Sequence, residues 1–303
     1  MMWLRRLLLK LSENRTLRRW METSPKAKLV TKRFVAGETL EQELAVCASL
    51  QQQQMWAALD HLGENVTTLQ DASQAADAYM VALDGIAERK LPATVSVKIT
   101  QFGVDLSEAA CLENVVRLVE KAKLTGSRVE IDMESSRYTD RTLDIAEKAA
   151  QAGPVRCVIQ AYLHRSAPDI ERLNRRAIPV RLCKGAYDEP RTIAFPTKAD
   201  VDRHYLELMM KLLDEGAYPA IATHDPKMLD ATVRYARMRG VGADRFEFQM
   251  LYGIRRDLQR RLVSQGYRLR LYVPYGSAWF PYFMRRLAER PANVLFLLRS
   301  LLH

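Results

Sequence analysis

Little in this chain announces a function outright, and each absence excludes something. The four cysteines, Cys47, Cys111, Cys157 and Cys183, are far apart and form no CxxC pair, so neither a zinc site nor a disulfide framework is indicated, and a reducing cytoplasm fits. The five histidines give no convincing metal set, and no metal is expected. No GxGxxG and no GxxxxGK[ST] occurs, which excludes a standard Gly-rich loop for a nucleotide or dinucleotide. No apolar run approaches the roughly 18 residues that a membrane-spanning helix needs. Glycine and proline, 13 and 12 residues, are too sparse for a fibrous or disordered chain.

What remains is an ordinary globular composition of 303 residues, 48% hydrophobic and 27% charged, with a net charge of +10. Such a charge suits nucleic acid, a membrane surface or an anionic ligand. Against nucleic acid, no Lys/Arg tract is interleaved with aromatics. The opening MMWLRRLLLKL is not read as a signal peptide, because Lys10 breaks its apolar core and no small-residue cleavage site follows. Leu4, Leu7, Leu8 and Leu11 share one helical face. The resulting basic helix either packs on the rest of the chain or makes peripheral contact with a membrane or partner.

Helical patterning continues through a second helix from Leu17 and a Gln-rich one from Leu40 to Leu62, opened by Thr39. From Gly63 onward, short apolar runs alternate with segments of helical period, the pattern of βα repeats around a parallel sheet. The reading is therefore a helical segment over 1–62 followed by a distorted (βα)8 TIM barrel over 63–303. Strands are expected at Asn65–Thr68, Thr94–Thr100, Arg128–Met133, Arg156–Ala161, Pro179–Leu182, Ala220–Thr223, Phe246–Leu251 and Arg268–Val273, with a helix after each and the last from Pro281. A doubly wound open sheet is the competitor. The barrel is preferred because candidate polar residues end nearly every strand, and closure gathers them at one mouth.

Those residues are Lys98 in VSVKIT, Asp132 and Met133 in VEIDM, Gln160 in CVIQA, Arg181 and Lys184 in VRLCKGAY, Thr223 and His224 in IATHD, Gln249 and Leu251 in FEFQML, and Tyr272 in LYVPYG. Lys98 and Asp132 inside apolar runs would be costly if buried alone, so a pair is expected. In the last helix Tyr282, Arg285, Arg286 and Glu289 fall at i, i+3, i+4 and i+7 and form one polar stripe. Two adjacent arginines suit a carboxylate or phosphate. A lysine inside a barrel strand, Lys98 or Lys184, also keeps open a Schiff-base lyase or aldolase.

Taken in order, VSVKITQFG, DMES from Asp132, IQAY from Ile159, VRLCKGAY, ATHD from Ala222, EFQMLYG, YVPYG and the YxxRRxxE of Tyr282–Glu289 resemble proline dehydrogenase. The likeness is to its monofunctional bacterial form and to the corresponding domain of bifunctional proline utilisation proteins. Each motif is weak alone; eight in order are specific. The resemblance implies an FAD enzyme that oxidises L-proline to Δ1-pyrroline-5-carboxylate by hydride transfer to flavin N5 and passes electrons to a membrane quinone, working in the cytoplasm or peripherally at the inner face of the membrane. Carried over residue by residue, it implies that Arg285, Arg286 and Lys98 hold the proline carboxylate, that Tyr272 and Leu251 pack on its ring, and that Tyr187, Tyr282 and the Glu289 stripe close the pocket. Asp132 would pair with Lys98 or the arginines, and Arg181 would stabilise negative charge on the reduced flavin. FAD would meet Met133, Gln160, Arg181, Lys184, Gly185, Ala186, Thr223, His224 and Gln249, with Thr197 and Lys198 near its phosphates.

Overall fold

The structure is a computed structural model, which describes residues 33–63, 66–280 and 282–284 together with positions 14, 19, 21, 24 and 31. Eight parallel strands close a barrel in sequence order, β1 (Trp56–His61), β2 (Ala93–Val97), β3 (Val129–Ile131), β4 (Val155–Gln160), β5 (Val180–Cys183), β6 (Ala220–Ala222), β7 (Glu247–Leu251) and β8 (Leu269–Tyr275). Helix α1 (Leu40–Gln52) precedes the first strand. The remaining helices are α2 (Leu69–Glu88), α3 (Glu108–Leu124), α4 (Thr139–Ala149), α5 (Ser166–Asn174), α6 (Lys198–Glu215), α7 (Pro226–Met238) and α8 (Arg256–Ser264). The closed barrel, not the open sheet, is the architecture, and seven of the eight expected strands lie where the β-branched runs placed them.

The first strand is a correction. Among the described residues there is no strand at 66–68; β1 lies within the stretch read as helix to Leu62. The helix stops at Gln52 because Gln54 takes a left-handed backbone, φ +60°, which turns the chain into Met55–Leu62. That run then pairs with β8 over six residues, from Trp56↔Arg270 to His61↔Tyr275. The barrel thus begins ahead of the boundary expected at Gly63. The expected helices at Leu4–Leu11 and from Leu17, and most of the one from Pro281, lie outside the described residues.

Helix starts follow local chemistry. Thr39 and Thr68 form capping boxes with Gln42 and Asp71, Ser107 and Thr197 cap α3 and α6, and Asp225 caps α7 ahead of Pro226. Alternation along the strands sends Val95, Val97, Ile131, Leu182, Phe248 and Leu271 outward into the main hydrophobic core under the helices. The opposite set is unusual. Barrel interiors are commonly filled by branched aliphatics, whereas Ser96, Glu130, Arg156, Arg181, Glu247 and Arg270 are buried here with polar partners inside the ring.

Candidate active site

Asp132 leaves the end of β3 and is the hub of the mouth. Its carboxylate accepts from the Ser96 hydroxyl at 2.9 Å, the Tyr272 hydroxyl at 2.7 Å and the guanidinium of Arg181. Lys98, just past β2, brings its ammonium to 2.9 Å from Asp60 Oδ1, 3.7 Å from Asp132 Oδ2 and 3.4 Å from the Tyr272 hydroxyl. The expected Lys98–Asp132 pair is present, but its nearer carboxylate belongs to Asp60 at the end of β1. Asp60 was not a candidate because its strand was read as helix. Burial raises the Tyr272 phenol well above its ordinary value; Asp60 adds to that, and Arg181 opposes it. The hydroxyl therefore stays protonated and donates to Asp132.

Arg181 lies on the barrel floor with its guanidinium 5.3 Å from the Tyr272 ring centroid. It donates to Ser96 Oγ at 3.0 Å and Gln249 Oε1 at 3.2 Å, and it sits 3.1 Å from Glu130 Oε2. Gln249 spends its amide group on Glu130 and Glu247 at 3.1 and 2.8 Å. Gln160 donates to the Glu134 carbonyl at 2.8 Å, and Glu134 in turn accepts from Thr100 Oγ1 at 2.6 Å, tying the loops after β2, β3 and β4 together. Glu189, in the β5–α6 loop, accepts from the Ser136 amide at 2.7 Å and its hydroxyl at 2.6 Å. These bonds brace the rim.

On the β5–β6 side, Lys184 lies between Asp202 and Asp225, and Lys198 pairs with Asp202. Thr197 caps α6 through Asp200. Thr223 Oγ1 accepts from the Asp225 amide at 3.1 Å. His224 Nε2 accepts from the Leu251 amide at 2.8 Å, which puts the ring proton on Nδ1. Gly185 has φ +107°, and a Cβ there would meet Tyr162 Cδ1 at 2.2 Å, so only glycine lets this loop lie on the Tyr162 ring. Tyr187 is 42% exposed and Met133 is buried. Leu251 packs against a second apolar cluster that contains Leu62, Phe34, Trp279, Phe280 and Tyr282. Arg285, Arg286 and Glu289 lie outside the described residues.

These donors test the cofactor that the resemblance implies. A cation under an aromatic face, with Gln160, Lys184 and the Nδ1–H of His224 along one side of the rim, forms a donor set suited to a long anionic molecule with a planar head. Lys184 and Lys198 enter that set already shared with two aspartates, so phosphates there would compete with Asp202 and Asp225. Among the described residues, no group of three or more His, Cys, Asp or Glu is placed to hold a metal ion.

Sequence comparison fits this geometry. The family model for proline dehydrogenase matches residues 44–299. Proline dehydrogenase 1 of Bacillus subtilis subsp. natto is 40% identical over 300 residues, 99% of both chains. The proline dehydrogenase of Deinococcus radiodurans is 38% identical over 281 residues, 90% of each. Among solved structures, proline utilization A from Bdellovibrio bacteriovorus inactivated by N-propargylglycine superimposes with a TM-score of 0.81 at 27% identity, over 87% of this chain and 33% of that one. The chain thus spans about a third of that longer protein and nearly the whole of the monofunctional relatives. On the strength of the full-length match and the shared barrel, the chain belongs to the proline dehydrogenase family.

Proposed function

We propose that the chain oxidises L-proline to Δ1-pyrroline-5-carboxylate with FAD as its cofactor and a membrane quinone as electron acceptor. The observation that carries this reading is the continuous array from Asp60 through Lys98, Tyr272 and Asp132 to Arg181, which links residues from five strands, running from the barrel mouth down to its floor. It supplies cations for a carboxylate, an aromatic face for a small ring, and a buried guanidinium beneath.

Proline offers little to grip except its carboxylate. Lys98 would meet it from the barrel, and Arg285 and Arg286 would meet it from the last helix as bidentate donors. Tyr272, Leu251, Tyr187 and Tyr282 would enclose the ring, with Glu289 in the polar stripe that closes over it. Positioning of this kind supplies much of a rate enhancement. Met133, Gln160, Arg181, Lys184, Gly185, Ala186, Thr223, His224 and Gln249 would hold the flavin, with Thr197 and Lys198 near its phosphates, and it would supply a two-electron acceptor when bound. Arg181 would stabilise negative charge at the floor, and Asp132 would orient Arg181 and Tyr272 together. The substrate amine must be uncharged when the adjacent carbon gives up hydride, so cations and carboxylates at the mouth set its protonation as well as its place.

Lys98 is poorly placed for a Schiff-base enzyme, because its ammonium is engaged by two carboxylates, Asp60 at 2.9 Å and Asp132 at 3.7 Å, where a nucleophile needs an open approach to a carbonyl. An acceptor dissolved in lipid would bring the enzyme to the inner face of the bilayer as a peripheral protein. No helix among the described residues is long and apolar enough to cross a membrane. The test is the visible absorbance of the purified protein before and after L-proline without an electron acceptor. Flavin bands that bleach with proline support both cofactor and substrate; a colourless protein that still fails to respond after FAD is restored refutes the reading.

A further inference from the structure

Beneath the mouth the barrel is filled with ions. Glu130, on β3 two residues below Asp132, is fully buried and faces the same interior. Its carboxylate lies 3.1 Å from Arg181, 3.1 Å from Arg156 and 3.6 Å from Arg270, and it accepts from Thr94 Oγ1 at 3.0 Å and from Gln249. Glu247 completes the layer against Arg156 at 2.6 Å and Arg270 at 2.8 Å. With Asp132 above, three guanidiniums face three carboxylates, and the group is neutral as a whole. Burial pushes the Glu130 carboxyl up, but Arg156, Arg181 and Arg270 outweigh it against the opposition of Glu247 and hold it below its ordinary value.

Such a network is poor evidence for stability, since well-packed apolar residues of similar volume commonly do as well or better. What it does fix is local charge. Arg181 touches Asp132 on its upper side and Glu130 on its lower side, and salt does not screen buried charges as it screens surface ones. Removing the Glu130 charge would leave this buried group with a net positive charge directly beneath the mouth.

We infer that Glu130 is a positioning residue for the redox step: by neutralising Arg181 from below, it sets how strongly that guanidinium favours the reduced cofactor. This rests on the flavin reading above. On that reading reduction would add negative charge next to Arg181, so loss of Glu130 should make reduction easier.

The measurement is the midpoint potential of the bound flavin, equilibrated against redox dyes, in the wild type, Glu130→Gln and Glu130→Asp. Glu130→Gln should favour the reduced flavin by at least tenfold, a positive shift of about 30 mV for a two-electron couple. Glu130→Asp keeps the charge and should stay within roughly threefold of wild type, about 15 mV on the same scale. An unmoved potential in Glu130→Gln, or equal shifts in both variants, overturns the inference. If Glu130→Gln does not fold, Glu247→Gln removes the same charge from a carboxylate of that layer that pairs with Arg156 and Arg270 and should shift the potential in the same direction by less; no shift there overturns it equally. A wild type without flavin would refute the functional reading itself, and its spectrum reveals this before any variant is compared.

Discussion

Asp132 and Tyr272 should act as one unit in turnover, and a double-mutant cycle measures this. In Asp132→Asn the side chain keeps its shape but loses its charge. The amide oxygen can still accept from Ser96 and Arg181, as Asp132 Oδ1 does at 2.9 Å from Ser96, while the new amide group must face the Tyr272 hydroxyl. That hydroxyl now donates at 2.7 Å and can rotate to accept instead. The variant therefore loses charge assistance, and the Tyr272 hydroxyl hydrogen loses its carboxylate acceptor. A hydrogen bond to a charged group is worth about 1.5–3 kcal/mol, so kcat/KM for proline should fall roughly ten- to a hundredfold. Tyr272→Phe deletes the other end of the same bond and also the hydroxyl that Lys98 approaches at 3.4 Å, and should cost about tenfold. Because both changes remove one shared interaction, the double variant should lose less than the product of the two, by a coupling of about 1 kcal/mol or more. Effects that add to within about 0.3–0.5 kcal/mol would mean the two residues act independently, and the shared bond would have no role in catalysis.

Asp60→Asn should leave Lys98 with Asp132 at 3.7 Å as its nearer carboxylate and lower kcat/KM for proline by about tenfold, within the range for one charge-assisted bond; unchanged steady-state kinetics would remove Asp60 from the site. Gly185→Ala places a methyl inside the Tyr162 ring and asks alanine for φ +107°, so it should cost at least about 1–3 kcal/mol and weaken FAD retention; a variant with wild-type melting and flavin content would contradict the contact. Glu43 on α1 is buried, and among the described residues only Cys47 Sγ donates to it, at 3.7 Å. Burial, and secondarily Asp60, raise its carboxyl well above the ordinary value, against the Cys47 contact. A raised folded value gives stability that is complete below the unfolded value of about 4.3 and is lost as pH rises toward the folded one. Glu43→Gln should therefore melt over a flatter pH profile above that point, and a slope identical to wild type would show that Glu43 is ionised in the fold.

Much of the barrel was legible because β-branched runs such as VSV, VEI and VRL carry a strand preference that the closed sheet only confirms. The first strand carries none. Met55–Leu62 has no β-branched residue and follows four glutamines, so local propensity points to helix, and only pairing with β8 and β2 decides the matter. Missing that strand hid Asp60. Glu130, Glu247, Arg156 and Arg270 are a different case: they lie within the strands, short of the C-terminal ends at which barrel chemistry is expected. A usable signal was present in RVEID and FEFQ, which set charged or amide residues at every second position, and in VRCVIQ and LRLY, which put an arginine on the same alternating face, on strands that a parallel barrel buries on both faces. The stripe of Tyr282, Arg285, Arg286 and Glu289 was the clearest helical pattern of all, yet three of its four members lie outside the described residues.

The seam between β1 and β8 has a consequence for how the molecule is made. The bond from Arg270 to the Ala57 carbonyl, 2.9 Å long, joins residues 213 apart in sequence, and it belongs to the same arginine that sits against Glu247 in the buried layer. Contacts this distant are slow to form, since loop closure must come before any reward for it. During synthesis the first strand waits, with one edge unpaired, until the eighth leaves the ribosome. An emerging chain exposes that edge and several half-satisfied interior charges together, which makes it a natural client for chaperones and makes any truncation ahead of Tyr275 a route to aggregation.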